Sequence, residues 1–131
     1  MRRNSRDLAF KLIYESFFTI DIDFSIREDE FENVSKEEFD FAISIFEKYK
    51  ENKTDILSKI EKNLKNYTID RIYKLDLALL CLIIIDIDYL QTPIAISVNE
   101  GIELAKIYST EKSPKFLNGI IRTIYGEVND W

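Results

Sequence analysis

Three groups of side chains carry the chemistry available to this sequence. The first is Arg2, Arg3 and Arg6 at the amino end, followed in the same apolar-periodic segment by Lys11 and Tyr14. A guanidinium fork pairs with phosphate and stacks on bases, and a basic arm can order itself on single-stranded RNA. Composition statistics by themselves favour a plainer reading, a solvated charged terminus. The second group is Lys115, Phe116, Asn118, Gly119 and Arg122. A helix turning about 100° per residue sets Lys115, Gly119 and Arg122 opposite its apolar stripe, with Asn118 at one side and Phe116 on the stripe's edge. Glycine inside a helix costs about 1 kcal/mol against alanine, so Gly119 implies that a ligand or another helix approaches the backbone. Phe116, taken alone, reads as core. The third group is Asn99-Glu100 with Glu103 and Lys106. Adjacent helical positions diverge, and no nucleophile, metal ligand or phosphate loop accompanies them. They are expected to be buried and to make a structural hydrogen bond rather than an acid–base pair.

The chain has no histidine and one cysteine, which removes histidine-ligated metals, histidine triads and internal disulfides. No catalytic group, metal or cofactor is expected, and the protein is read as a non-enzyme. Eighteen basic residues against 24 acidic ones give a formal charge of -6, so any grip on nucleic acid must be local. The acidic stretch from Asp21 to Asp40 reads as a solvated face or mobile loop, or as a surface that attracts a basic protein. The apolar run Leu77 to Ile85 falls well short of the roughly 20 residues that span a bilayer. The charged start lacks the pattern of a secretion signal. A cytoplasmic location and no membrane contact are therefore expected.

These side chains need helices to position them, and the sequence supplies helical signals almost throughout. Only three glycines and two prolines interrupt 131 residues, read as a single domain over 1-131. Leu8, Ala9, Leu12, Ile13 and Phe17 predict a first helix from Arg6 to about Ile20, with a loop from Asp21 to Val34. Ser35-Lys36-Glu37-Glu38 has the form of a capping box and opens a second helix, expected to end near Glu51-Asn52. Thr54 is expected to cap a third helix through Leu57, Ile60 and Leu64, broken at Asn66-Tyr67-Thr68. A central helix then carries Leu77 to Ile85, although the isoleucines from Ile83 towards Tyr89 favour strand locally. Thr92-Pro93 and Ser113-Pro114 each read as a cap with proline at the first helical position. Leu117, Ile120, Ile121, Ile124 and Val128 form the last buried stripe.

Two stretches together resemble the NusB family of transcription antitermination factors. One is Arg2-Arg-Asn-Ser-Arg-Asp-Leu-Ala-Phe-Lys-Leu-Ile-Tyr14. The other is Thr92-Pro-Ile-Ala-Ile-Ser-Val-Asn99-Glu100-Gly-Ile-Glu103-Leu-Ala-Lys106, then Ser113-Pro-Lys115-Phe116-Leu-Asn118-Gly119-Ile-Ile. The similarity is strong over residues 68 to 124 and clear over 2 to 17. The chain departs from the family pattern at Asp76, Cys81 and Arg122.

The resemblance implies an all-α fold, a compact bundle of about seven helices in two packed subdomains. It also implies binding of single-stranded boxA-type RNA in ribosomal RNA leader transcripts, together with the ribosomal protein NusE and transcribing RNA polymerase. A homodimer is a further possibility within the family. By matching position, Arg2, Arg3, Arg6 and Tyr14 belong to the RNA-facing motif, and Lys115, Phe116, Asn118 and Gly119 to the carboxy-terminal signature. The alternatives are a protein-interaction adaptor without RNA contact, and a stand-alone relative of the NusB-like domain of RNA cytosine methyltransferases. A helix-turn-helix DNA binder is disfavoured, because the basic residues do not line a recognition helix.

Overall fold

The computed structural model describes residues 2–19 and 34–126, with Arg2 described by its backbone only. Most of the expected loop from Asp21 to Val34, and the expected stripe position Val128, lie outside the described residues. Among those described there are five α-helices and one 3-10 turn, not about seven helices: α1 (Arg2–Ser16), α2 (Lys36–Lys62), the turn Ile69–Arg71, α3 (Lys74–Asp88), α4 (Ile94–Tyr108) and α5 (Ser113–Tyr125). No described helix is long and apolar enough to cross a membrane.

α1 begins at Arg2, four residues before the apolar periodicity does, so the arginines sit on a helix and not on a free arm. Tertiary bonds hold this first turn. The Ser5 hydroxyl donates to the Glu38 carbonyl at 2.9 Å and the Asn4 amide to the Glu38 carboxylate at 3.0 Å. Leu8, Ala9, Phe10, Leu12 and Ile13 then bury the inner face.

The capping box at Ser35 forms as expected: the Glu38 N–H donates to the Ser35 hydroxyl and the Ser35 N–H to the Glu38 carboxylate, both at 3.1 Å. The expected break after Glu51 does not occur, and one helix runs 27 residues to Lys62. Phe46, Tyr49, Ile56 and Ile60 keep one helical phase through the supposed boundary, so the core face never lapses. Asn52, read as a helix end, donates its amide to the Lys48 carbonyl at 2.9 Å within the helix, and Thr54 is an exposed mid-helix residue. The helix ends at Asn63, whose amide donates to the Lys59 carbonyl at 2.7 Å. The break anticipated at Asn66-Tyr67-Thr68 is present, with Asn66 at φ 68°.

α3 is the axis of the molecule. Every residue from Asp76 to Asp86 is buried, because α1, α2, α4 and α5 all pack against it. Surrounding it on all sides overrides the strand preference of its isoleucines. One cluster of buried apolar side chains runs through all five helices. Cys81, one of the family departures, sits fully buried in it, and burial pushes its thiol up to about 12. Asp76, another departure, is buried and accepts from the Ser109 hydroxyl at 2.6 Å.

Two local details shape the α3–α4–α5 side. A Cβ on Gly101 would lie 2.5 Å from Ile83 Cδ1, so this glycine, unnoticed in the sequence, is what lets α4 lie close on α3. Pro93 occupies the cap position of α4 itself, its carbonyl accepting from the Ser97 N–H at 3.0 Å. Thr92 instead donates its backbone N–H to the Asp86 carbonyl at 2.9 Å.

Candidate nucleic-acid interface

The two arginines whose side chains are described leave α1 in different directions. Arg6 turns into the protein, where its Nε donates to Asp86 Oδ2 at 2.6 Å, with side-chain exposures of 10 % and 1 %. Burial raises the Asp86 carboxyl above its ordinary value, and the Arg6 guanidinium pulls it part of the way back. Arg6 therefore does not face solvent as the sequence reading expected. A buried aspartate on α3, the residue that closes the apolar run Leu77 to Ile85, claims it.

Arg3 remains half exposed and lies along α4, donating from Nε to one Glu100 oxygen at 2.9 Å and from its terminal nitrogen to the other at 3.3 Å. Glu100 thus makes the structural contact expected of it, to a neighbouring helix. Asn99, expected to be buried, is exposed. Lys11 stands 3.5 Å from Asp7 and over the Tyr108 ring, 5.2 Å from its centroid. The Tyr108 hydroxyl also donates to Asp7, at 3.2 Å, so the middle of α1 is tied to the end of α4. Tyr14 is partly exposed and meets Phe18 edge-on at 5.1 Å, and Phe18 is 65 % exposed.

On α5, Lys115 and Gly119 are exposed, as the helical projection required. The inference drawn from Gly119 needs one correction. A Cβ there would meet nothing within 4 Å among the described residues, so no described helix approaches it. Asn118 and Arg122 line a shallow groove of about 120 Å³ between α4 and α5, together with Asn99 and Ile102. Phe116 is only partly buried and points to a different cavity, shared with Tyr67 and Tyr73.

α4 therefore lies between the two candidate groups. Its Glu100 side holds Arg3 of α1, and its Asn99 side shares the groove with Asn118 and Arg122 of α5. Arg3 on one side of α4, and Asn99, Asn118 and Arg122 on the other, set out a polar track over three helices, its groove section also lined by Ala95, Val98 and Ile102. Arg6 is not part of it, and Lys11 and Tyr14 continue it along α1. Asn99 and Arg122 join the track although the sequence reading assigned neither to RNA. The available signal was an asparagine interrupting an apolar-periodic helix one residue from a glutamate, and an arginine opposite the buried stripe of α5. The described candidate residues offer cations, amides and an exposed stretch of helix, which suits recognition of a polyanion.

Comparison with known proteins agrees with this architecture. The model of the NusB family matches residues 3–126. The transcription antitermination protein NusB of Finegoldia magna is 40% identical over 126 residues, covering 94% of this chain and 92% of that one. NusB from T. maritima superposes with a TM-score of 0.85 at 31% identity, covering 97% of this chain and 92% of that one. A structure of the antitermination factors NusB and NusE in complex with double-stranded RNA gives 0.82 at 25% identity, covering 95% of each chain. With the family model spanning nearly the whole chain and the helices superposing on a solved member, this protein belongs to the NusB family.

Proposed function

We propose that residues 1–131 act as one RNA-binding adaptor in transcription antitermination. It takes single-stranded boxA-type RNA of ribosomal leader transcripts along the α1–α4–α5 track, binds the ribosomal protein NusE, and links both to elongating RNA polymerase. The observation that carries this reading is Gly119: a mid-helix glycine, exposed, with none of the described residues within 4 Å of where a Cβ would lie. Its helix penalty of about 1 kcal/mol returns no intramolecular packing, so the open backbone suits a ligand from outside. Lys115 and Arg122 on the same outward face suit an anionic one. The related complex of NusB and NusE with double-stranded RNA supports RNA and NusE as the classes of partner.

Arg3, Lys11, Lys115, Asn118 and Gly119 are assigned to RNA within this reading, with Arg2 beside them at the start of α1. Arg6 supports the track from inside. Tyr14 and the exposed Phe18 stand at the far end of α1 from Arg3 and suit an apolar contact with the protein partner. Few phosphate contacts on a single strand give a shallow log–log salt slope, about -2 to -3 for three or four pairs, so tight assembly needs RNA and NusE together. The test is a gel shift with boxA-type and scrambled RNA, with and without NusE. Preferential binding of the boxA sequence, strengthened by NusE, is expected. Failure of either RNA to shift at any NusE concentration would leave only the protein-adaptor alternative.

A further inference from the structure

α5 starts without a side-chain cap. Lys112 holds its cap position with a backbone that is already helical and a side chain that makes no capping bond, and Pro114 brings no N–H to the first turn. Ser113, read in the sequence as the cap residue, lies inside the helix and is 1 % exposed. A helix start in this condition frays, because its first N–H groups lack acceptors. The connection from α4 supplies what the cap lacks. The Lys112 N–H donates to the Thr110 hydroxyl oxygen at 3.3 Å, and the Thr110 N–H to the Ser113 hydroxyl oxygen at 3.2 Å.

These two bonds belong to a longer chain that ends on a buried carboxylate of α3. Ser113 donates its hydroxyl proton to Ser109 at 2.9 Å, and Ser109 donates its own to Asp76 at 2.6 Å. A serine has one proton to give, so in the Thr110–Ser113 contact at 3.0 Å the threonine is the donor. Every hydroxyl proton therefore points the same way, from Thr110 through Ser113 and Ser109 to Asp76, and the Ser113 oxygen uses its one donor and both acceptor positions. Asp76 is 7 % exposed and, unlike Asp86 with Arg6, has no cation paired with it among the described residues. The Ser109 hydroxyl is its hydrogen-bond partner among them, so one acceptor on α3 sets the direction of the whole chain.

We infer that Asp76 is a positioning residue for the surface that α5 offers to RNA: through Ser109 and Ser113 it holds the first turn of that helix in place before RNA arrives. The inference rests on the RNA-binding function proposed above, which puts the exposed Lys115 and Gly119 of this helix against the strand. Asp76 touches no RNA in this role. A loose first turn would have to be ordered at the moment of binding, and affinity would fall by that cost, whereas a turn already fixed by the hydroxyl chain spares it. Charge alone predicts the reverse, since a carboxylate near a polyanion repels it and its removal would tighten binding. The two roles are thus separated by sign. Asp76 is also a position where this sequence departs from the family pattern, so the arrangement is a property of this chain, with Ser109, Thr110 and Ser113 acting as one unit with the aspartate.

The experiment titrates the full chain with a short boxA-type RNA and NusE over a range of salt concentrations, well below the melting temperature of each variant, and follows amide hydrogen exchange at Thr110 and Lys112. Asp76→Ala is expected to weaken strand binding about 2- to 12-fold, the range for immobilising one side chain on binding. The salt slope is expected to stay as it is, because no phosphate contact is lost. Exchange at both amides is expected to quicken. Asp76→Asn keeps an oxygen that accepts from Ser109 and is expected to restore affinity and protection together. Ser113→Ala cuts the chain while leaving Asp76 on Ser109 and is expected to reproduce Asp76→Ala, so it carries the test if Asp76→Ala does not fold. Binding as tight as the parent's in both alanine variants overturns the assignment while the RNA-binding function stands. Tighter binding by Asp76→Ala and Asp76→Asn alike also overturns it, in favour of charge alone. Failure of the parent to bind the strand even with NusE removes the RNA-binding function and the assignment with it.

Discussion

Arg6 and Asp86 are joined 2.6 Å apart in the core between α1 and α3, 80 residues apart in sequence. The second Asp86 oxygen has no hydrogen-bond partner among the described residues, so the guanidinium is what compensates this buried carboxylate. Removing one member of such a pair leaves an uncompensated charge and costs about 3–5 kcal/mol, whereas replacing both with apolar residues is far milder. Arg6→Ala is expected to lose that amount in urea unfolding, and Arg6→Met with Asp86→Leu to recover most of it.

The same pair sets a pH dependence. Burial already holds the Asp86 carboxyl above its ordinary value, and without Arg6 that burial acts unopposed. A carboxyl whose folded value exceeds its unfolded one, about 3.9, binds more protons when folded, so stability falls as pH rises through that window. Arg6→Ala is expected to gain more stability than the parent when pH drops from neutral towards 5. Unfolding curves at the two pH values check this, and equal slopes in parent and variant would contradict it.

Glu100 occupies Arg3 in this structure, and under the proposed function a phosphate competes with it for the guanidinium. The pair is half exposed, so solvent screens it and its contribution to stability is small. Under the proposed function its effect on binding is expected to be larger, because RNA would compete with a carboxylate already seated on the guanidinium. Glu100→Gln is expected to leave melting nearly unchanged and tighten RNA binding severalfold, and Arg3→Ala to weaken it with a salt slope shallower by about 0.7. Titrations over a range of salt concentrations separate these effects. Weaker binding by Glu100→Gln would show that the carboxylate positions Arg3 for RNA and does not compete with it.

Local signals were legible where the chemistry is local. The capping box at Ser35, the break after Asn66 and the outward face of α5 depend on neighbours in sequence, and each is where spacing put it. The misses depend on contacts made across the fold. Nothing near Arg6 announces Asp86, because the partner lies on another helix. Asn52 and Thr54 suggested a boundary that the continuous Phe46–Ile60 stripe overrides. The two glycines were misjudged for the same reason. Gly119 drew attention as a point of close approach, yet the close approach is at Gly101, where Ile83 leaves no room for a Cβ.

Gly101 makes its own prediction. Adding a methyl group 2.5 Å from Ile83 Cδ1 forces the two helices apart or the isoleucine out of its rotamer, a cost of about 1–3 kcal/mol. Gly101→Ala is expected to be destabilised by that amount. Ile83→Val removes the nearer of the two clashing atoms but leaves crowding at the Cγ level, so the double variant is expected to recover part of the loss. A double-mutant cycle from urea melts measures the coupling, and strict additivity would show that α4 can shift without cost.

Gly119→Ala has the opposite consequence for the fold. The site is exposed and helical, and none of the described residues lies within 4 Å of where the methyl group would stand, so alanine gains helix propensity with no clash among them. A stabilisation of about 0.5–1 kcal/mol is expected. RNA should respond in the other direction, since a Cβ stands between the incoming strand and the open backbone flanked by Lys115 and Arg122. A higher melting temperature together with weaker boxA binding, measured on one preparation, is the expected pair of results. Greater stability with undiminished binding would mean that the open backbone at Gly119 is not a contact surface, and would shift the RNA track towards α1.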